Sequence, residues 1–388
     1  MQRFEFNTVA RIINGAGTAL ELADECRRLG VTRPLLVTDP GLVAIGLVQP
    51  VVAALADAGL PPLVFDQVRE DPPEATVLAA TELARTGEVD GVIAVGGGSS
   101  MDVAKVVAVL LGGTQSLPEL YGVGQVTGSR LPLLLVPTTA GTGSEVTPVA
   151  VITTGETTKA GISSPVLLPD VAVLDAALTL GLPPAVTAMT GVDAMVHAIE
   201  AYTSRHKKNP LSDNLAVNAL RLLSRNIRTA VREGGNQQAR AEMLLGACLA
   251  GQAFANAPVA AVHALAYPLG GHYHIPHGLS NSLVLPTVLE FNAPSACELY
   301  AELAEVVLGE TLTGSDEAKT ALLIFALREL IEDVMLPATL RQAGVKAADL
   351  EVLAADAMLQ QRLLVNNPRE ITYADALGIY RAAYGEAA

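Results

Sequence analysis

The sequence has few cysteines and no long apolar run, and each shortage excludes a class of protein. Its three cysteines, Cys26, Cys248 and Cys297, are widely spaced and form no C-x-x-C pair. A disulfide framework is therefore not expected, and a reducing compartment such as the cytoplasm fits. The first residues lack a charged start followed by an apolar run, so no secretory signal is expected. Runs such as VAKVVAVLLGG are too short to span a bilayer, which argues against a membrane partner.

Positive charge is also scarce. There are 25 Lys and Arg against 40 Asp and Glu, which gives a formal net charge of −15. Because nucleic-acid affinity depends mainly on basic side chains that neutralise phosphates, a nucleic-acid partner is not expected. Half of the 388 residues are apolar, which is enough for two domains with a large core.

The pattern of the chain changes near residue 180. Before it, short β-branched runs alternate with Ala/Leu-rich helical segments, which is typical of a parallel sheet covered by helices. After it, strand-like runs nearly vanish, and helical segments follow one another between Gly and Pro. The sequence predicts an α/β domain over residues 1–181 and an all-helical domain over residues 182–388, with Leu182, Pro183 and Pro184 as the hinge.

Asp193 and His197 have the residue types and the spacing of two ligands of one divalent metal ion. They lie four residues apart in TGVDAMVHAIEAY, a segment with helical apolar spacing, so their side chains share one face. A lone histidine on an apolar helix is more often an ordinary core residue. The carboxylate one turn away favours the ligand role.

Four of the six histidines lie close together in VHALAYPLGGHYHIPHG. A helix-like start runs into a loop broken by Pro and Gly, and this loop can fold back toward Asp193. A carboxylate with imidazoles and no thiolate suits Fe(II), Zn(II), Mn(II) or Co(II), and it leaves a coordination position for substrate, as catalytic sites do. Two of the four histidines would complete the site, and spacing alone does not choose among His263, His272, His274 and His277.

A strand, a glycine-rich turn and a helix follow one another from residue 91. GVIAV is typical of a buried strand, Gly96, Gly97, Gly98 and Ser99 form the turn, and MDVAKVVAVLL has helical periodicity. Glycines let the backbone approach a pyrophosphate, whose charge the helix N-terminus attracts. The turn matches neither the G-x-G-x-x-G fingerprint nor a Walker loop. A purely steric role for its glycines is the alternative.

A second apolar strand, LPLLLVP, ends in a loop rich in hydroxyl groups. This loop carries Thr138, Thr139, Thr142 and Ser144, with glycines between them. Such a density of donors and acceptors can hold ribose or carboxamide groups. An ordinary Thr-rich turn is the other interpretation.

In chain order, these segments resemble the iron-containing (type III) alcohol dehydrogenase family, within the dehydroquinate synthase-like superfamily. TDPGL, GGGSSMDVAK, PTTAGTGSEVTPVAVIT, TAMTGVDAMVHAIEAYTS and HALAYPLGGHYHIPHG are similar to its successive motifs, over nearly the whole chain. The resemblance implies a dinucleotide-binding α/β domain, a metal-binding helical domain, and an active site in the cleft between them. The implied activity is metal-dependent, NAD(H)-linked hydride transfer between a small alcohol, favoured as primary, and its aldehyde or ketone. Fe(II) is the favoured ion with Zn(II) as alternative, and a homodimer is the favoured assembly.

The resemblance also assigns the metal ligands. The family's pattern falls on Asp193, His197, His263 and His277, which would act in catalysis through the metal. Tyr267 stands where many members carry a second histidine that relays protons. Because an ordinary phenol has a pKa of about 10, Tyr267 is a poorer relay at neutral pH, and His274 is a further candidate.

The same resemblance suggests cofactor residues, and position and residue type add others together with a substrate pocket. Asp39 would accept hydrogen bonds from the adenosine ribose and repel a 2′-phosphate, which favours NAD(H) over NADP(H). Asp102 would strengthen its helix N-terminus or orient the loop, and Lys159 would hold the nicotinamide ribose. The alternatives are that Asp39 only starts the turn Asp39-Pro40-Gly41 and that Lys159 is a solvated surface lysine. The remaining cofactor residues are Gly96, Gly97, Gly98, Ser99, Thr138, Thr139, Thr142 and Ser144. An apolar substrate pocket is expected at Val149, Val151 and Phe254.

Three alternatives stay open at this point. A glycerol-dehydrogenase-like or a dehydroquinate-synthase-like enzyme would share the fold. The second would need several basic residues for its phosphate-bearing substrate, and the motif-bearing segments between residues 132 and 278 carry few. A non-catalytic protein that binds NAD and metal is the third.

Overall fold

The chain forms two compact units in the computed structural model, which describes residues 3–155 and 158–385. The first unit is Asn7–Leu180. The second unit combines residues 3–6 with the chain from Gly181 to residue 385. The sequence-based boundary lies between residues 181 and 182 and places residues 3–6 in the first unit.

The first unit is built on a parallel sheet. Its strands are β1 (Arg11–Asn14), β2 (Pro34–Val37), β3 (Leu63–Phe65), β4 (Gly91–Gly96), β5 (Gly122–Val123), β6 (Leu133–Pro137), β7 (Val149–Thr154), β8 (Thr158–Ser163) and β9 (Val171–Leu174). Six of them form one sheet in the order β1-β9-β6-β4-β2-β3, with every neighbouring pair parallel. In a smaller sheet, β8 pairs with β5 in parallel and with β7 antiparallel.

Helices cover both faces of the large sheet. They are α1 (Leu22–Arg28), α2 (Pro40–Ala44), α3 (Gln49–Asp57), α4 (Glu74–Thr86) and α5 (Gly98–Gly112), with 3-10 turns at Thr18–Glu21, Leu117–Leu120, Ser144–Val146, Pro165–Leu167 and Ala176–Thr179. Alternate residues of the central strands enter two separate cores. Val92 and Leu133 pack on the α4 and α5 side, whereas Ile93 and Leu134 pack on the α1 and α3 side. Burial on both faces explains why these strands are continuous apolar runs.

The order of the strands reverses direction between β2 and β4. The chain passes from β2 outward to β3 and then returns to β4 on the other side of β2. At such a reversal the connections leave in opposite directions and open a crevice, which is where open α/β sheets bind ligands.

The described residues of the second unit form helices joined by short connections and contain no strand. Its helices are α6 (Pro184–Thr203), α7 (Pro210–Arg232), α8 (Gln237–Asn256), α9 (Ala261–Tyr273), α10 (His277–Leu308), α11 (Asp316–Asp333), α12 (Leu350–Ala357), α13 (Gln361–Leu364) and α14 (Tyr373–Tyr384), with a 3-10 turn at Ala347–Asp349. Helix α6 packs against α7, α8 and α10, and α9 packs against α10 and α12. Proline at the first position starts both α6 and α7, where its missing N–H costs nothing. The predicted fold class, a parallel-sheet domain followed by a helical one, is confirmed.

The length and composition of the described helices bear on whether any of them could cross a membrane. None of them is by itself long and apolar enough to cross a membrane. Helices α8 and α9 meet the length and composition criterion only as a pair, across a bend of 106°.

Candidate functional site

Four side chains from three helices converge in the second unit. Asp193 and His197 lie one turn apart on α6, His263 lies in the first turn of α9, and His277 is the first residue of α10. One ligand atom from each lies within 4.8 Å of the others. The structure thus brings together the same four residues that the family resemblance assigns as metal ligands.

The geometry of these four residues, here called the ligand cluster, fits one divalent ion. The Nε2 atoms of His197, His263 and His277 lie 3.9, 3.9 and 3.7 Å from Asp193 Oδ1. Ligand atoms about 2.0–2.2 Å from a common ion lie about 3–4 Å from one another, so the spacing suits coordination. Three members are buried, whereas the His277 side chain is 37% exposed, which leaves one side accessible.

Asn281, one turn after His277 on α10, also indicates that the ligand cluster could bind an ion. Its Nδ2 donates to Asp193 Oδ1 at 2.6 Å and lies 3.4 and 3.3 Å from Nε2 of His263 and His277. Its Oδ1 is buried and lacks a hydrogen-bond partner among the described residues. Buried polar atoms nearly always have partners, so a bound ion with its own ligands would complete this arrangement.

The charge state of Asp193 also suits metal binding. Burial raises the pKa of this carboxyl, but His197, His277 and His263, with the Asn281 amide, more than offset the effect and hold the pKa below its ordinary value. An ionised carboxylate surrounded by three imidazoles is the protonation state that a cation requires.

Close packing between α6 and α10 brings His277 to Asp193. A Cβ added to Gly278 would lie 2.3 Å from the backbone oxygen of Met189 and 3.3 Å from the Asp193 side chain. Only glycine therefore lets the first turn of α10 approach α6 so closely.

The segment between His263 and His277 is more helical than its sequence predicts. Its Pro and Gly residues predict a break into a loop, but α9 continues through Pro268 to Tyr273. One proline removes a single helical hydrogen bond, and contacts such as Tyr380 Oη to Leu265 O (2.6 Å) hold the helix. The chain reverses only at residues 274–276, where His274 adopts a left-handed conformation (φ 53°).

The remaining histidines of this segment lie outside the cluster. His272 is exposed and pairs with Asp356, and His274 is exposed at the end of α9. Tyr267 is one turn after His263, with its ring centroid 5.9 Å from that of His277. Phe254 stacks on the His197 ring at a centroid distance of 4.3 Å.

The motifs assigned to the cofactor meet in the first unit, after adjacent strands. Gly97 precedes the first residue of α5, so the helix begins three residues earlier than its apolar pattern suggests and contains Ser99 in its first turn. The Thr138 N–H donates to Gly96 O at 3.0 Å, which joins the two loops. A Cβ on Gly97 would make only ordinary van der Waals contact, at 3.8 Å, with the Thr139 side chain. Gly98, in contrast, packs against Thr142, 3.0 Å from its added Cβ.

A buried polar network that the sequence analysis missed orients these loops. Asp102 accepts from Ser144 Oγ (2.7 Å) and from the Val151 N–H (2.9 Å), which links α5 to the Thr-rich loop and to β7. The fully buried Lys105 donates to Ser144 Oγ, Thr147 Oγ1 and Val149 O. Burial lowers the pKa of Lys105, and the carboxylates of Asp102 and Glu145 oppose this. Because Ser144 gives its proton to Asp102, its hydroxyl can meet a cofactor only as an acceptor.

Of the other residues assigned to cofactor or substrate, Asp39 caps a helix, Lys159 forms an ion pair, and two valines are partly exposed. Asp39 caps α2 through Oδ1, which accepts from the Leu42 N–H at 3.0 Å. Lys159 forms an ion pair with Asp71 at 2.6 Å. Val149 and Val151 are partly exposed on one face of β7.

Both units match models of one protein family. The model described as "Iron-containing alcohol dehydrogenase" matches residues 9–176, and "Fe-containing alcohol dehydrogenase family, C-terminal" matches residues 187–384. Long-chain-alcohol dehydrogenase 1 of Geobacillus thermodenitrificans is 43% identical over 386 residues, with 97% of each chain covered.

Solved structures show the same relationship. A 1,3-propanediol oxidoreductase superposes with a TM-score of 0.95 at 37% identity, covering 98% of this chain and 100% of that one. Sulfoacetaldehyde reductase from Bifidobacterium kashiwanohense, solved in complex with NAD+, superposes with a TM-score of 0.89 at 29% identity, covering 99% of each chain. The chain therefore belongs to the iron-containing alcohol dehydrogenase family, as its motifs suggest, and it is an oxidoreductase.

Proposed function

We propose that this oxidoreductase is a metal-dependent, NAD(H)-linked alcohol dehydrogenase. Its substrate would be a small, preferably primary alcohol, with the corresponding aldehyde or ketone as product. The observation that carries the proposal is the convergence of Asp193 Oδ1 with three imidazole Nε2 atoms at 3.7–3.9 Å. Fe(II) is the proposed ion, because the family is iron-containing, and Zn(II) suits the same donors.

The four residues of the ligand cluster differ in their exposure to solvent. Asp193, His197 and His263 are buried and would hold the ion from within the unit, while the partly exposed His277 borders the accessible side. Phe254 stacks on the His197 ring. This contact restricts the orientation of the imidazole and provides an apolar surface beside it. When bound, a divalent ion polarises the carbon–oxygen bond of the substrate, and the dinucleotide exchanges the hydride.

The cofactor proposal rests on the loops that follow β2, β4 and β6. The N-terminus of α5, from Gly97 to Ser99, would receive the pyrophosphate, because its N–H groups and helix dipole favour an anion. The Thr-rich loop and Lys159 would contact the nucleosides, and Asp39 would select NAD(H). The relative from Bifidobacterium kashiwanohense supports NAD as the dinucleotide.

The substrate class is proposed from apolar side chains. Phe254 lies against the ligand cluster, and Val149 and Val151 present a partly exposed apolar face. Such surfaces favour an uncharged alcohol over an anionic substrate. A homodimer and a cytoplasmic location remain predictions from the sequence.

A steady-state screen tests the proposal. Metal-depleted protein is reconstituted separately with Fe(II), Zn(II), Mn(II) and Co(II), and oxidation of primary alcohols and 1,3-propanediol is followed with NAD and NADP. We expect turnover only after an ion is added, with NAD preferred and with longer apolar alcohols favoured over charged ones. Protein that binds ion and NAD but turns over none of these substrates would instead indicate a non-catalytic binding protein.

Tyr267 is proposed to pass a proton between substrate and solvent, with His274 as a second route. Tyr267→Phe should lower kcat severalfold and leave KM unchanged. This loss is smaller than the roughly 10²-fold or more of an optimal acid–base group, because water can take over the transfer. The matched control is Tyr273→Phe on the same helix, whose hydroxyl binds Asp349. If Tyr267→Phe changes KM and substrate preference at constant kcat, the ring shapes the pocket and the relay role is wrong.

A further inference from the structure

Glu200 is a buried carboxylate beside the ligand cluster that is not one of the four ligands. It lies on α6, seven residues after Asp193 and three after His197, and therefore on the same helical face. Only 4% of the residue is exposed. The spacing of Asp193, His197 and Glu200 in the sequence already indicates a shared helical face, although the sequence analysis does not name Glu200 as a site residue.

Both oxygens of Glu200 bind the first turn of α9. Oε1 accepts from the backbone N–H of Val262 at 2.7 Å, and Oε2 lies 2.7 Å from Nδ1 of His263. The N-terminal N–H groups of a helix have no partner within the helix, so Glu200 satisfies one of them while it holds the ligand ring. The carboxylate is thus fixed at two points and has no freedom to follow a rotation of His263.

These contacts determine which nitrogen of His263 carries the proton. A carboxylate only accepts hydrogen bonds, so a His263 ring with a single N–H would carry it on Nδ1 and leave the Nε2 lone pair free. The surroundings of Nε2 agree, because the Asn281 amide nitrogen, a donor, lies 3.4 Å away. Nε2 also faces Asp193 Oδ1, at 3.9 Å.

We infer that Glu200 is a positioning residue for the metal site. It selects the Nδ1–H form of His263 and fixes the ring so that Nε2 faces the other three ligands. The inference rests on the proposed metal-dependent function. Partners of this kind typically contribute roughly 10- to 100-fold in metal affinity.

The test compares wild-type protein with Glu200→Gln. Glutamine has the same size but offers one oxygen and one donor group, so it cannot accept from both the Val262 N–H and His263 Nδ1–H. We expect affinity for Co(II) and Zn(II), measured by competition with a chromophoric chelator, to fall roughly 10- to 100-fold. The visible spectrum of bound Co(II) should also change, because the ligand geometry changes.

Tyr380→Phe is the matched control. It removes a buried hydrogen bond of 2.6 Å to Leu265 O on the same helix without touching a ligand. We expect it to lower thermal stability and to leave Co(II) affinity and spectrum unchanged. Equal losses of affinity in Glu200→Gln and Tyr380→Phe would mean that any weakening of α9 is sufficient, and would overturn the positioning role.

The tautomer of His263 provides a measurement that does not depend on a variant folding. Nitrogen NMR of metal-free wild-type protein labelled at its six histidines should show His263 protonated at Nδ1. Protonation at Nε2, or a Glu200→Gln protein that binds Co(II) as tightly as wild type, overturns the inference. Wild-type protein that binds no divalent ion would contradict the proposed function, and the His263 tautomer would still decide whether Glu200 directs this ring.

Discussion

His263→Ala should abolish tight metal binding and turnover while the helical unit stays folded. The substitution removes one of four ligands, so the loss of Zn(II) or Fe(II) affinity should exceed the roughly 10- to 100-fold that losing a partner of a ligand costs. It also leaves Glu200 with one buried oxygen unpaired, which lowers stability by about 1–3 kcal/mol. Metal content and affinity, steady-state turnover and a thermal unfolding curve measure the three effects separately.

His272→Ala is the control for this prediction. His272 is exposed, pairs with Asp356 and lies outside the ligand cluster, so its loss should leave metal content and activity at the wild-type level. One bound ion per chain and normal activity in His263→Ala would rule out the proposed ligand set. Loss of the ion in His272→Ala, but not in His263→Ala, would instead assign the metal site to the exposed end of α9.

Asp39→Gly should relax the preference for NAD over NADP. The carboxylate would accept from the adenosine ribose and repel a 2′-phosphate, and a charge of this kind in a partly solvated site contributes about 1–3 kcal/mol, or roughly tenfold to more than a hundredfold in preference. The ratio of kcat/KM for the two cofactors measures the change. Stability should fall only by a few tenths of a kcal/mol, because glycine is a tolerated helix cap.

Asp39→Asn separates charge from helix capping. Its amide oxygen can still accept from the Leu42 N–H as Asp39 Oδ1 does, but the negative charge is gone. We expect Asp39→Asn to relax cofactor preference with unchanged thermal stability. A cofactor ratio that stays at the wild-type value in both variants would mean that Asp39 serves only as the cap of α2.

Local patterns in the sequence were sufficient for the fold class. The apolar run of β4 is buried on both faces, and such a run requires helices on each side of the sheet. The Asp193–His197 pair could likewise be recognised, because both residues lie on one helix whose period sets their relative direction. The order of motifs along the chain then indicated the family, and the family models confirm it.

Local patterns failed where a distant element decides the outcome. Pro268 and the glycines after it indicate a break in α9, yet packing from α14 and α10 keeps the helix intact. Lys105 has the ordinary appearance of a helical surface lysine, but it is fully buried because β7 and the turn before it supply three acceptors. A propensity describes a residue and its sequence neighbours, and these partners are about 40 or more residues away.

The sequence by itself determined the two-part fold, the family, and the residue types of a metal site, because periodicity and motif order are local properties of the chain. Only the tertiary structure decided how the ligands meet. Glu200 reaches His263 across 63 residues, Asn281 reaches Asp193 across 88, and Gly278 lets α10 approach α6. The physical reason is that coordination requires ligand atoms within a few ångströms, and this precision comes from the close packing of helices that are distant in sequence.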